Sequence, residues 1–309
     1  MRKKYFVKIA VCFSILFLLA SAVFAQKRRP VTAKTKAKPI IFAVINDGQA
    51  IEPLAFIDKG ALEQTVGGDG EAKVLADFVK TYYQPKTTYR LIFGGADAGT
   101  VTVKSSDAKA ECSKNMAQVT AQSAKAKLKG FVMALATNEP PDKTASGLRR
   151  LPTPTERAEI ESLVRDEFAK QKISDKILKN LKYHNLTALD VDNDKKAEMV
   201  GSFWVETSPT SRALLFFIAD KAANGKYAFG YSEYKAIKQD ELMSGSDITA
   251  IDEGVYHERL LDALEYNGDT TAEIFTYTKS FEGSSFNAYS RQNGKWVKAF
   301  EGSNYHCAF

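Results

Sequence analysis

The most chemically suggestive residues of this 309-residue chain are four acids within a stretch of nine. They are Asp190, Asp192, Asp194 and Glu198. Carboxylates two residues apart in a tight loop can converge on one hard cation, with a backbone carbonyl and water completing about six to eight oxygens. Without a cation their charges repel each other. The spacing therefore predicts a Ca²⁺ site. Mg²⁺ fits it less well, because that ion demands a rigid octahedron.

A second stretch repeats this pattern 75 residues later. Residues 189–200 read LDVDNDKKAEMV, and residues 264–275 read LEYNGDTTAEIF. The oxygen-bearing side chains of the second stretch are Glu265, Asn267, Asp269 and Glu273. Their formal charge is −3 against −4 in the first stretch, so weaker cation binding is expected. An Asn-Gly pair follows each stretch, at residues 224–225 and 293–294, which indicates a duplicated unit that contains a hairpin turn.

The acidic stretch does not follow the EF-hand pattern. An EF-hand loop needs glycine at its sixth position and a bidentate glutamate at its twelfth. Counted from Asp190, these positions hold Lys195 and Gly201. The flanking residues also favour strands over paired helices. Both observations argue against an EF-hand.

The two stretches resemble the D-x-D-x-D-x-x-x-[DE] calcium loops of FG-GAP/VCBS repeats, the integrin-type β-repeat family of secreted and cell-surface proteins. The resemblance covers about residues 186–234 and 262–300. It implies side-chain ligands at the four acids, with the Lys196 carbonyl as a fifth ligand. The family often has glycine at the fourth and sixth loop positions, where this chain has Asn193 and Lys195.

The elements that must position these loops are strands and one helix. Each acidic stretch is predicted to lead into three antiparallel strands. In the first copy these strands are expected at residues 199–206, 212–219 and 227–234, and in the second at 274–280, 286–291 and 296–300. A helix is predicted over residues 154–171, because Thr153 and Glu156 have the spacing of a capping box and an apolar stripe follows.

The predicted fold class is α+β. A small α+β domain is expected over residues 39–137, followed by a Pro-rich linker over residues 138–153. Residues 154–309 are expected to form the helix and an antiparallel β-meander built from the two repeats. Two repeats are too few to close a propeller.

The first residues of the chain have the pattern of an export signal. Residues 1–25 combine a basic start, an apolar run and small residues at Val23 and Ala25, which predicts a cleaved signal peptide and a secreted or periplasmic protein. An uncleaved anchor is the alternative, because the apolar run reaches the short limit of a membrane span. Residues 26–38 are predicted to be a basic, flexible leader.

The charge of the chain does not favour nucleic-acid binding. Residues 39–309 contain 33 basic and 37 acidic side chains. A nucleic-acid-binding domain normally has a basic excess. We therefore expect no nucleic-acid partner, and no membrane span after signal cleavage.

Two cysteines remain after the signal segment, Cys112 and Cys307. Thiols outside the cytosol tend to be oxidised, so this pair is a candidate disulfide worth about 2–5 kcal/mol. Two unpaired buried thiols are the alternative, and a large distance between the residues would enforce it.

The sequence contains no recognisable catalytic motif. His257 and Glu258 begin a zinc-protease-like pattern, but the position of its second histidine holds Leu261. The other histidines, His184 and His306, are far away in the sequence. Surface or core roles are therefore favoured for all of them, although folding could bring one to a distant Ser or Asp.

Together these features predict a secreted, non-enzymatic protein with a Ca²⁺-stabilised β-repeat domain. Its expected partner is a protein or a carbohydrate at the cell surface, a role that rests on the family resemblance. The alternative is an exported hydrolase or an enzyme inhibitor with its site in residues 39–137. A deep pocket with perturbed His or carboxylate pairs would favour the enzyme, and a clustered loop at residues 190–198 would favour the binding protein.

Overall fold

The computed structural model describes residues 37–140 and 146–307. Of these residues, 47% lie in strands and 16% in helices. The predicted α+β class is therefore wrong. The protein is mostly β, with a closed antiparallel barrel of six strands and two further antiparallel sheets. The predicted signal peptide, most of the leader and part of the predicted linker lie outside the described residues.

The elements follow one another in three groups. The first group is β1 (Ile40–Ile45), β2 (Ala50–Asp58), β3 (Ala61–Glu63), α1 (Ala72–Tyr82), β4 (Thr88–Phe93), β5 (Ala96–Ser106), β6 (Ala117–Ser123) and β7 (Ala134–Thr137). The second is β8 (Arg149–Arg150), α2 (Pro154–Lys170), α3 (Asp175–Leu178), β9 (Lys182–Leu189), β10 (Glu198–Ser208), β11 (Ser211–Lys221) and β12 (Tyr227–Lys238). The third is α4 (Thr249–Asp252), β13 (Glu258–Leu264), β14 (Glu273–Lys279), β15 (Gly283–Gln292) and β16 (Lys295–Tyr305). Short 3₁₀ turns lie at Asn46–Gly48 and Gln239–Glu241.

The first group forms the barrel. Its strands follow the order β1, β7, β4, β5, β6 and β2, and β2 pairs back with β1 to close the cylinder. Helix α1 buries Leu75, Phe78 and Tyr82, and the last two pack against the side chains inside the barrel. Every pairing is antiparallel.

The error in fold class has an identifiable cause in β1 and β2. Residues 40, 42 and 44 of β1 face the barrel core, and residues 41, 43 and 45 pack outside it against another sheet. A strand buried on both faces has a continuous apolar run, which carries no information about barrel closure. In β2, Pro53 lies at a register shift opposite Phe42, and proline favours a loop when only the sequence is considered.

The two repeats form two antiparallel sheets. The first sheet has the order β12, β11, β10, β9, β8, and the second runs β13, β14, β15, β16. The expected strand segments lie within β10, β11 and β12 of the first sheet and mostly within β14, β15 and β16 of the second. In each sheet one further strand, β9 or β13, directly precedes the acidic loop, and the first sheet also contains the short β8. The Asn-Gly pairs form the expected turns, with positive φ at Gly225 and Gly294.

The second sheet lies between the barrel and the first sheet. Its Phe275 and Phe286 pack on the barrel, whereas Ile274 and Tyr289 pack on the first sheet. Helix α2 covers the far face of the first sheet with its apolar stripe. The capping box is present at its start, where the Glu156 amide donates to Thr153 Oγ1 (3.2 Å) and the Thr153 amide donates to Glu156 Oε2 (2.7 Å).

A buried ion pair fastens the barrel to the second sheet. The side chains of Arg149 and Asp262 are 5% and 0% exposed and contact each other. Asp262 also accepts hydrogen bonds from the amides of Gly94 (3.1 Å) and Gly95 (2.8 Å) at the β4–β5 turn. Arg149 donates to the Leu261 carbonyl at 2.7 Å. This pair joins three segments that are distant in the sequence.

A disulfide fastens the end of β16 to the barrel. Cys112, in the β5–β6 loop, is bonded to Cys307, with Cα atoms 5.2 Å apart. Beside it, Asn115 Nδ2 donates to Asn304 Oδ1 at 2.9 Å, and His306 Nε2 lies 2.7 Å from Glu52 Oε1. Disulfides are typical of proteins exposed to an oxidising compartment. Within residues 37–140 and 146–307, no helix has the length and apolar character needed to cross a membrane.

Candidate metal centre

Three of the predicted ligands converge in the loop between β9 and β10. One oxygen each of Asp190, Asp192 and Asp194 lie within 4.8 Å of one another. Asp190 is 8% exposed, and its Oδ1 atom has no hydrogen-bond partner among the described residues. A buried, unpartnered carboxylate oxygen beside two further acids is a suitable donor set for a hard cation. The group could therefore hold a metal ion.

Backbone amides of this loop orient two of the three carboxylates. The Asp194 amide donates to Asp192 Oδ1 (3.2 Å), and the Lys196 amide donates to Asp194 Oδ1 (2.7 Å). Asn193 and Lys195 have φ values of 58° and 69°. Glycine adopts such values most readily, and asparagine does so more readily than most other residues. Asn193 and Lys195 occupy the positions where the resembled loops often have glycine. Their backbone thus has a conformation that glycine favours.

The second loop has the same backbone conformation and the same turn hydrogen bonds as the first. Its matching positions, Gly268 and Thr270, have φ values of 86° and 73°. The Asp269 amide donates to Asn267 Oδ1 (2.8 Å), and the Thr271 amide donates to Asp269 Oδ1 (2.9 Å). Both turns match those of the first loop with the same offset of 75 residues. This agreement supports a structural duplication.

The side chains of the second loop are arranged differently. Asn267 Nδ2 donates to Asp269 and to Glu273, and Glu265 Oε1 accepts the amides of Asn267 and Gly268, each at 2.8 Å. Glu273 is fully buried, and burial raises its pKa to about 9. Within the described part of the chain, these acids do not form a group as compact as that of the first loop. The Asn267 amide group therefore bridges two acids of this loop.

An arginine from the second repeat enters the first loop. Arg291 Nη1 lies 2.7 Å from Asp192 Oδ2, and Nη2 lies 3.3 Å from Glu198 Oε1 and 2.5 Å from Asp220 Oδ1. Glu198 also accepts the Val191 amide at 3.1 Å, and it lies outside the group of three converging acids. The guanidinium therefore neutralises part of the predicted ligand set and ties the loop to the second sheet.

The fifth predicted ligand is the backbone carbonyl of Lys196, and the side chain of Lys196 lies beside the group. Its ammonium pairs with Asp194 at 3.1 Å in an exposed position. Burial raises the pKa of Asp190, and it raises that of Glu198 to about 7 even though Arg291 lowers it. Ionisation of these two acids is therefore costly in the folded chain, and the nearby cations offset only part of that cost.

Arg291 is the residue of this centre that sequence reasoning misses. It lies two residues before the Asn-Gly turn of the second copy, and the matching residue of the first copy is Ala222. A comparison of the two copies therefore gives no signal for it. Only the packing of the two sheets brings it to the first loop.

One buried histidine contacts a serine. Ser202 Oγ lies 3.4 Å from His257 Nδ1, the one serine contact of a histidine among the described residues. His257 is fully buried, and burial lowers its pKa to about 3. Burial also lowers the pKa of the adjacent His184 to about 4. Imidazoles with such values are weak bases at neutral pH, so this contact does not suit a general-base role.

These two imidazoles should make the fold sensitive to acid. Because their folded-state pKa values lie below the ordinary value, the unfolded chain binds protons first as the pH falls from about 6.5 to about 4. Each group should then reduce stability by about 1.4 kcal/mol per pH unit. We expect His257→Gln to lose less stability than the wild type over this range in urea titrations. Equal pH slopes for the two proteins would contradict this expectation.

Comparison with protein-family models, curated proteins and solved structures finds no match to this chain.

Proposed function

We propose that this chain is a secreted, non-enzymatic protein in which Ca²⁺ bound at the first loop stabilises the β-repeat part, and that it serves in binding or as a surface structure. The observation that carries the proposal is the convergence of one oxygen each from Asp190, Asp192 and Asp194, together with the buried and unpartnered Oδ1 of Asp190. All of these donors are carboxylate oxygens, which Ca²⁺ prefers. Ca²⁺ also tolerates irregular coordination better than Mg²⁺ does.

Two further features support export. The first 25 residues have the pattern of a cleaved signal peptide. The disulfide between Cys112 and Cys307 suits an oxidising compartment outside the cytosol. Extracellular Ca²⁺ sites operate at millimolar concentrations, so a site with few charged ligands is sufficient there. A protein or carbohydrate partner at the cell surface follows from the family resemblance.

Thermal melting with excess EGTA and then with millimolar Ca²⁺ tests the proposal. At a free Ca²⁺ concentration about a hundred times the dissociation constant, binding should add about 2.7 kcal/mol to the free energy of unfolding. Asp190→Asn should abolish the difference, because it removes the charge of the buried ligand. Asp192→Ala should do the same, but Asp192 also binds Arg291 and is the less selective variant.

Two further variants make the experiment selective. Asp269→Asn in the second loop serves as the matched control and should keep most of the Ca²⁺ effect. Arg291→Gln frees Asp192 and Glu198 from the guanidinium, so it should increase the dependence of stability on Ca²⁺. Equal melting temperatures of the wild type with EGTA and with Ca²⁺ would refute the metal site.

A further inference from the structure

A cleft between the barrel and the second sheet contains a buried arginine without a partner. The cleft has a volume of about 480 Å³ and is lined by the turn after β1, the segment before β7, the segment after α4 and the edge of β13 and β14. Arg259, the second residue of β13, is 6% exposed. Among the described residues its side chain makes no ion pair or hydrogen bond, and its Nε atom is buried without a partner. A buried charge normally has a counter-charge.

Arg212 is a buried arginine of the same protein whose guanidinium does have a carboxylate partner. It is 3% exposed, and its Nε and Nη2 atoms bind the two oxygens of Asp252 at 2.6 and 3.0 Å. Arg259 instead has its guanidinium 4.7 Å from the ring of Phe131 and 5.8 Å from that of Tyr277. Aromatic faces hold the planar group in place and leave its N–H donors unused. The guanidinium is thus held in position, but its N–H donors have no acceptor.

The other charges of the cleft limit what can bind. Asp47 and Glu253 are exposed, as is Lys279, so Arg259 is the one buried charge among the lining residues. One negative charge on a ligand would neutralise Arg259. A dianion would add charge close to the two acids, which is unfavourable. Ile45, Met133 and Phe131 supply apolar surface for the body of a ligand.

We propose that this cleft binds the carboxylate of a small organic monoanion, with Arg259 as its bidentate partner and the apolar body against Phe131. Guanidinium and carboxylate match in geometry, and two parallel hydrogen bonds fix the orientation. The volume is that of an ordinary small-molecule site.

Titration calorimetry of the full chain with benzoate tests this proposal. We expect saturable binding with a dissociation constant of about 1 mM or tighter. Arg259→Met should weaken it about 10- to 100-fold, because a charge-assisted pair is lost. Arg259→Lys keeps the charge but loses the planar pair of N–H donors. Its affinity for benzoate should lie between those of the wild type and Arg259→Met. Arg157→Met, at an exposed arginine that pairs with Glu161 elsewhere, is the matched control and should bind benzoate normally.

A second measurement separates binding from folding. Since Arg259 is buried without a partner, ligand-free Arg259→Met should melt at the wild-type temperature or above it. A lower melting temperature would give the arginine a structural role and overturn the proposal. Absence of benzoate binding, unchanged binding by Arg259→Met, or tighter binding of inorganic phosphate than of benzoate would overturn it as well.

Discussion

Asp262→Ala is expected to lower the free energy of unfolding by about 3–5 kcal/mol. The substitution leaves Arg149 buried without its carboxylate and the amides of Gly94 and Gly95 without their acceptor. Removing one member of a buried ion pair is costly because the other charge stays desolvated. Urea denaturation of the oxidised protein measures this loss.

Two controls define the effect of Asp262. Glu161→Ala removes the exposed partner of Arg157 and should cost less than about 1 kcal/mol. The double variant Arg149→Met/Asp262→Leu replaces both charges with apolar groups and should recover much of the loss. A cost for Asp262→Ala no larger than that for Glu161→Ala would show that this ion pair does not hold the barrel to the second sheet.

Reduction of the disulfide is expected to lower stability by about 2–5 kcal/mol. Cys112 and Cys307 are separated by 195 residues, so the bridge restricts the unfolded chain over most of its length. Urea denaturation with and without dithiothreitol measures the change. The Cys112→Ser/Cys307→Ser double variant should resemble the reduced protein and should not respond to dithiothreitol.

The tail should remain docked after reduction. Asn304 donates to the Pro53 carbonyl at 2.9 Å and accepts from Asn115, and neither contact needs the disulfide. We therefore expect a cooperative but less stable fold. Wild-type stability that is unaffected by dithiothreitol would contradict a stabilising bridge.

Local features of the chain were predictable because their causes lie within a few residues. The Thr153–Glu156 capping box starts α2 as its spacing predicts, since both partners are three residues apart. The Asn-Gly pairs form turns in which Gly225, Asn293 and Gly294 have positive φ, which both residue types tolerate. In the first acidic loop, Asp192 and Asp194 each accept the amide two residues ahead. The calcium site itself remains a prediction.

The fold class depended on contacts that no local pattern records. Barrel closure requires β1 to pair with β2 on one side and β7 on the other, some ninety residues away. An apolar run such as that of β1 shows that a strand is buried on both faces, but not what covers each face. The prediction of an α+β domain for residues 39–137 was wrong for this reason.

The amino-acid sequence by itself determined the duplicated acidic loops, their turns, the strands that follow them and the start of the long helix, because hydrogen bonds between near neighbours specify each of these. Only the tertiary structure decided that Arg291 reaches the first loop, that Arg149 meets Asp262 and that Arg259 is buried without a counter-charge. These arginines belong to segments that meet only when the sheets stack. Desolvation and charge pairing depend on the neighbours that stacking brings, and those neighbours are distant in the chain.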